Sequence, residues 1–133
     1  MENRDRVWDY TTLDLFLTCR RKYYWRVVRE LAPLTVAPAL EFGKGIHQAL
    51  SVYYTQGLVE ALKVWREIYP GREEEELRTP GNGEKVLRGY SEVYRQEPFR
   101  ILEIGEKKAV EIGFAVPLGP YLYGGRLDTL VEW

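Results

Sequence analysis

Residues 109–133 read AVEIGFAVPLGPYLYGGRLDTLVEW, and the first part alternates strictly. Val110, Ile112, Phe114 and Val116 fall on one side, Ala109, Glu111, Gly113 and Ala115 on the other. A period of two marks a strand, because successive side chains point to opposite faces of a pleated backbone. Pro117-Leu118-Gly119-Pro120 interrupts the alternation with turn residues. Tyr121 to Trp133 then predicts the returning strand of a hairpin, with Gly124-Gly125 as a bend or bulge. A lone hairpin is marginal in water, so this one must lie on other elements or find a partner strand. An open sheet edge would let the chain self-associate or accept a strand from a partner.

Upstream, the apolar period changes to that of helices. Thr11 or Thr12 can cap a short helix through Leu13, Phe16 and Leu17, and a second helical stretch covers roughly 20–29. Pro33 and Pro38 bracket an extended connector. Ile46, Leu50, Tyr53 and Tyr54 share one side of a helix from about Leu40 to Gln56, closed by Gly57. Leu58, Ala61, Leu62, Trp65 and Tyr69 form the apolar stripe of the next. The acidic run Glu73 to Glu76 and Thr79-Pro80-Gly81-Asn82-Gly83 read as an exposed loop. Val86, Leu87, Tyr90, Val93 and Tyr94 mark one more helix. Helices over 11–97 followed by a β-hairpin region over 100–133 predict a single α+β domain spanning 1–133, with an unfinished sheet. Trp133 ends the chain within the apolar stretch LDTLVEW, so a truncated product is expected.

Composition narrows the class. The 133 residues are 45% hydrophobic and 14% aromatic, which predicts a packed core and excludes a disordered chain. A domain of this size buries roughly two-thirds of the surface its unfolded chain exposes, so it can fold without disulfides. The single cysteine, Cys19, excludes an internal disulfide and suits a reducing, cytoplasmic setting. No apolar run reaches the ~18 residues of a membrane span. The opening MENRDRVWDY lacks the apolar core of a signal peptide. The net charge is only −1, but Arg20, Arg21, Lys22, Arg26 and Arg29 fall within ten residues and interleave with Tyr23, Tyr24 and Trp25. Such a segment can meet phosphates and stack on bases, while its bland alternative is a solvated helix face whose rings point inward.

Three segments then stand out in order: TTLDLFLTCRRKYYWRVV at 11–28, LEFGKGIHQAL at 40–50 and YGGRLDTLVEW at 123–133. Together they resemble the RecB/AddB-like branch of the PD-(D/E)xK nucleases, which is related to CRISPR-associated iron–sulfur exonucleases. That branch combines a Ser/Thr-x-Leu helix, a Cys-Pro-Arg-Lys-Tyr-like segment, a Phe-Gly-x-x-x-His helix, a Gly-Arg-Ile-Asp-like strand and a strand bearing Glu-x-Lys. The resemblance implies a restriction-endonuclease-like fold and exonuclease-type hydrolysis of DNA, as in DNA repair, with Mg²⁺ or Mn²⁺. It makes His47 and Asp128 the catalytic metal ligands. It makes Arg20, Arg21, Lys22, Tyr23, Tyr24, Trp25 and Arg26 the nucleic-acid-binding residues. Arg20 departs from the pattern, standing where proline is common.

Each assignment has a structural alternative. His47 lies on the side of Gly43, Leu50 and Tyr54, where a lone histidine is often a hydrogen-bonded core residue. Asp128 stands in an apolar strand, where Arg126 could compensate its charge or the face could simply be exposed. Cys19 occupies the place of a first cluster cysteine, but a 4Fe-4S cluster needs about four thiolates and this chain has one. Glu106-Lys107-Lys108 spells Glu-x-Lys ahead of Asp128, an arrangement that arises easily by chance in a chain 29% charged. Glu106 by itself is a candidate further ligand, since relatives often carry a glutamate before the first strand. Only five residues follow Asp128, and none is a lysine, so this chain is expected to be inactive. The competing expectation is a non-catalytic nucleic-acid-binding or protein-interaction module built on the same fold.

Overall fold

The computed structural model describes residues 7–71 and 76–133; the glutamates 73–75 of the acidic run lie outside them. The chain is α+β, with helices between one short early strand and a set of later strands. It divides into two compact units, one of residues 1–34 and 111–127, the other of residues 35–110 and 128–133.

The second unit holds the core. Helix α3 (Pro38–Gln56) begins at a proline, whose fixed φ and missing N–H suit a first helical position. Pro38 is thus a helix start and not the end of a connector. Gly57 closes α3 at φ +96, a conformation with little penalty only for glycine, and its carbonyl accepts from Ala61 N to open α4 (Leu58–Ile68). Helix α5 (Pro80–Val93) begins inside the stretch expected to be a loop. Thr79 Oγ1 accepts from Asn82 N at 3.1 Å, and Pro80 takes the first helical position. Pro-Gly-Asn-Gly is turn vocabulary, but a cap and the buried Leu87 outweigh it.

Ala49, Leu62, Trp65, Tyr69 and Leu87 form the buried cluster, with Phe42, Ile46, Leu50, Leu58 and Ile68 against it. Trp65 stacks on Tyr69 at 4.7 Å between centroids and meets the Phe42 ring edge-on at 5.3 Å. Its indole N–H donates to Pro80 O at 2.8 Å, and Tyr69 Oη donates to Arg78 O at 2.8 Å. Gly45 and Gly83 make room for the indole: a Cβ on Gly45 would lie 2.8 Å from Trp65 Cζ3, and one on Gly83 would fall within the ring's own volume. Beyond the helices, Arg100–Ile101 pairs antiparallel with Val131–Glu132, and Glu103–Ile104 with Lys107–Lys108. Buried Ala109 ties the two pairs together, donating to Leu102 O and accepting from Leu130 N.

The first unit contains strand β1 (Val7–Trp8), helices α1 (Tyr10–Thr18) and α2 (Arg20–Tyr23), and a π-helical turn at Tyr24–Val28. Numbering the strand pairs above as β2 and β7, and β3 and β4, the hairpin is β5 (Val110–Leu118) and β6 (Tyr121–Thr129). The sheet order is β1-β6-β5, with β1 parallel to β6 through Val7↔Leu122 and Trp8↔Tyr123. A two-residue strand carries no period, so the sequence pattern gave no sign of β1. Gly124 admits it: a Cβ there would lie 2.6 Å from Val7 Cγ1. Gly119, at φ +59, forms the first half of the hairpin turn. The cap of α1 is Asp9, not Thr11 or Thr12; its Oδ1 accepts from Thr12 N at 2.7 Å. The expected helix at 20–29 is α for one turn and π thereafter, with Arg29 N donating to Tyr24 O. No described hydrophobic side chain of this unit is fully buried. No helix among the described residues is long and apolar enough to cross a membrane.

Candidate metal centre and nucleic-acid face

Helix α3 carries His47 in its third turn, two residues past buried Gly45. The imidazole is 63% exposed and therefore not a core histidine. Strand β6 carries Asp128 near its end, with a side chain 75% exposed. About eighty positions apart in sequence, the two converge: His47 Nδ1 lies 4.0 Å from Asp128 Oδ1. That is too long for a hydrogen bond. It suits two ligands of one ion, since donors about 2.0–2.2 Å from a shared cation lie at most roughly 4.4 Å apart. An imidazole and a carboxylate open to solvent therefore fit a divalent ion, and the donor types favour Mn²⁺ over Mg²⁺. Exposure also removes the desolvation problem posed for Asp128, which needs no compensating partner.

Arg126, the partner imagined for Asp128, instead points its guanidinium at Glu111, with Nη1 at 3.5 Å from Oε2. Glu111 is half-buried in β5 and adopts φ +54, a left-handed conformation inside a strand. Pattern reading treated Glu111 as one position in an alternation and missed it. The signal available was a lone carboxylate among Val110, Ile112 and Phe114.

Glu106 occupies the turn between β3 and β4 and, with Thr55, Gln56 and Lys107, lines a shallow depression. Lys108 Nζ donates to Tyr54 O at 2.8 Å, which pins this hairpin to the C-terminal end of α3. His47 stands eight positions before Thr55 in the same helix, about 12 Å along its axis. Tyr54 itself is held between Tyr90 Oη at 2.5 Å and Glu97 Oε1 at 2.7 Å. Burial, then those hydrogen bonds, push its phenol well above the ordinary range. This network joins α3 to the end of α5.

The basic–aromatic segment forms a separate face in the first unit. Arg20 lies over the Phe16 ring at 5.4 Å, and Phe16 meets Tyr23 edge-on at 5.1 Å. Tyr23 is thereby engaged in local contacts. Tyr24 and Trp25 remain 42% and 44% exposed, so these two rings do not pack inward. Arg20, Arg21, Lys22 and Arg26 are exposed beside them. Cys19, between α1 and α2, is an exposed free thiol in a chain with no other cysteine.

No curated protein and no solved structure matches this sequence. A family model does match, over residues 8–132, and so takes in the basic–aromatic segment, His47 and Asp128 together. On that match the chain belongs to the PD-(D/E)XK nuclease superfamily.

Proposed function

We propose that the chain is a RecB/AddB-like nuclease domain for DNA in which His47 and Asp128 hold a divalent ion. The observation that carries this reading is the approach of one imidazole and one carboxylate to 4.0 Å. A bound Mg²⁺ or Mn²⁺ would polarise a phosphoryl oxygen and lower the pKa of a bound water. Asp128 supplies an anionic donor and His47 a neutral one, so the site retains positive charge with which to attract a phosphate. Arg20, Arg21, Lys22 and Arg26 would meet further phosphates, and Tyr24 and Trp25 would stack on bases.

His47 and Asp128 by themselves supply no cationic side chain to orient water or stabilise developing charge, so cleavage by this chain alone is expected to be weak or nil. A cytoplasmic location is proposed with this reading, on the single exposed thiol.

The test is Mn²⁺ binding followed by electron paramagnetic resonance. The wild-type chain should bind, and His47→Ala and Asp128→Asn should each weaken binding at least tenfold while keeping the fold. Equal Mn²⁺ occupancy in all three removes the reading. Robust metal-dependent DNA cleavage, abolished by Asp128→Asn, would instead overturn the expected inactivity.

One observation favours a second reading, a protein-interaction module. Strand β5 lies at the end of its sheet and exposes Phe114, Val116 and Leu118. Sedimentation would show a concentration-dependent dimer if that edge pairs with a second copy, and a monomer throughout if it does not.

A further inference from the structure

The first unit contains a cavity to which the reading above assigns no role. Its volume is about 380 Å³, and Trp8, Leu13, Leu118, Tyr121 and Tyr123 line it. That is within the ordinary range for small-ligand sites. Three of the five lining residues are aromatic, and they come from β1 and β6, which the Val7↔Leu122 and Trp8↔Tyr123 register holds side by side. Leu13 contributes from α1.

We propose that this cavity receives a single unstacked nucleobase. The inference rests on the nucleic-acid reading given above, and it adds a base-binding site separate from Tyr24 and Trp25. Two observations select this occupant over an apolar peptide side chain. First, Leu13 and Phe16 are three positions apart on α1, so they neighbour each other on one helix face, and Arg20 lies over Phe16. Leu13, which lines the cavity, is thus followed seven positions on by Arg20 and the basic segment, an order that suits a base and its attached phosphates. Second, charge agrees: residues 1–34 and 111–127 carry eight lysines and arginines against six acids, a net +2 in a chain of net −1. A base inside a duplex has both faces covered by its neighbours, so only a base taken out of the stack can enter. Stacking on rings tolerates every base, and the site would accordingly read the presence of a base and not its identity.

The experiment measures affinity by fluorescence anisotropy, in EDTA, for a labelled single-stranded deoxyoligonucleotide and for the same oligonucleotide made abasic. Without a divalent ion the result is independent of catalysis and of the His47–Asp128 site. Wild-type chain should bind the abasic strand about tenfold more weakly, the usual scale for losing a base stack. Tyr121 is 59% exposed, so truncating it spares the core. Tyr121→Ala should narrow that difference several-fold, leaving what Tyr24 and Trp25 contribute, while Tyr121→Phe keeps the ring and should keep the difference. Equal binding of both strands by wild type overturns the proposal, as does no binding at low salt. A base preference undiminished by Tyr121→Ala overturns it too, and points to Tyr24 and Trp25 alone. If base discrimination holds while Mn²⁺ binding fails, the cavity stands and the metal-centre reading falls; the reverse result separates them the other way.

Discussion

Among the described residues two glutamates have positive φ, and they stand in different circumstances. Glu30, at φ 53, follows the π-helical turn, where a left-handed residue commonly ends a helix. Glu111, at φ 54, lies inside β5, where no helix end calls for it. A non-glycine residue there costs roughly 1–2 kcal/mol. Its 3.5 Å ion pair with Arg126, whose side chain is 70% exposed, recovers at most about 1 kcal/mol. Stability of the strand alone therefore favours glycine over glutamate at this position. Glu111→Gly should leave the melting temperature equal or raised by a few degrees, because glycine adopts this φ freely. A lower melting temperature would mean that the Glu111–Arg126 pair contributes more than its exposure implies. Of the candidate site, His47 and Asp128 were legible because their segments match an ordered motif set. The left-handed φ of Glu111 was not, because alternation cannot display a backbone angle.

Among the elements, α5 shows how the same residue type acts in opposite senses. Gly83 and Gly89 both lie in this helix, where alanine ordinarily improves stability by about 1 kcal/mol. Nothing stands within 4 Å of a Cβ built on Gly89, so Gly89→Ala should stabilise by roughly 0.5–1 kcal/mol in urea unfolding. A Cβ on Gly83 would enter the Trp65 ring, which the Tyr69 stack and the Pro80 hydrogen bond hold in place. Overpacking then exceeds the propensity gain, and Gly83→Ala should destabilise by about 2 kcal/mol. Stabilisation of both variants would mean that Trp65 is freer than its contacts imply. The α4–α5 contact also carries an acid-sensitive pair. Arg66 Nε and Nη2 donate to the two Glu84 carboxylate oxygens at 2.6 and 2.9 Å. Those hydrogen bonds hold the Glu84 carboxyl below its unfolded value of 4.5. Its contribution is thus fully present above that value and is lost as pH falls through the lower folded one. Glu84→Gln should flatten the acid limb of stability against pH by lowering stability at neutral pH while leaving it nearly unchanged at low pH; an unaltered acid limb would assign the sensitivity elsewhere. Helices α3 and α4 and the hairpin were readable because each spans enough residues to show a period. β1 has two residues and no period, the start of α5 is written in turn residues, and nothing in YWRVV distinguishes a π turn from an α one.

Across the whole molecule, net charge and local charge point in different directions. A net charge of −1 and a pI of 5.9 give no general attraction to a polyanion. The acids are concentrated in residues 35–110 and 128–133, with fourteen against eleven basic residues, while the other unit is basic. Nucleic-acid binding must therefore be local, through the cluster at Arg20, Arg21, Lys22 and Arg26, and a local phosphate footprint has a measurable size. Each single-strand phosphate neutralised contributes about −0.7 to the slope of log affinity against log salt, so four contacts predict a slope near −3. Affinity should then fall roughly 50-fold between 50 and 200 mM salt. Replacing Arg20, Arg21, Lys22 and Arg26 together by glutamine should bring the slope close to zero. Such a change would leave the abasic discrimination of the aromatic cavity in place, because stacking does not release counterions. A wild-type slope already near zero would mean that the cluster is only a solvated helix face, and the nucleic-acid surface would have to be sought on another part of the chain.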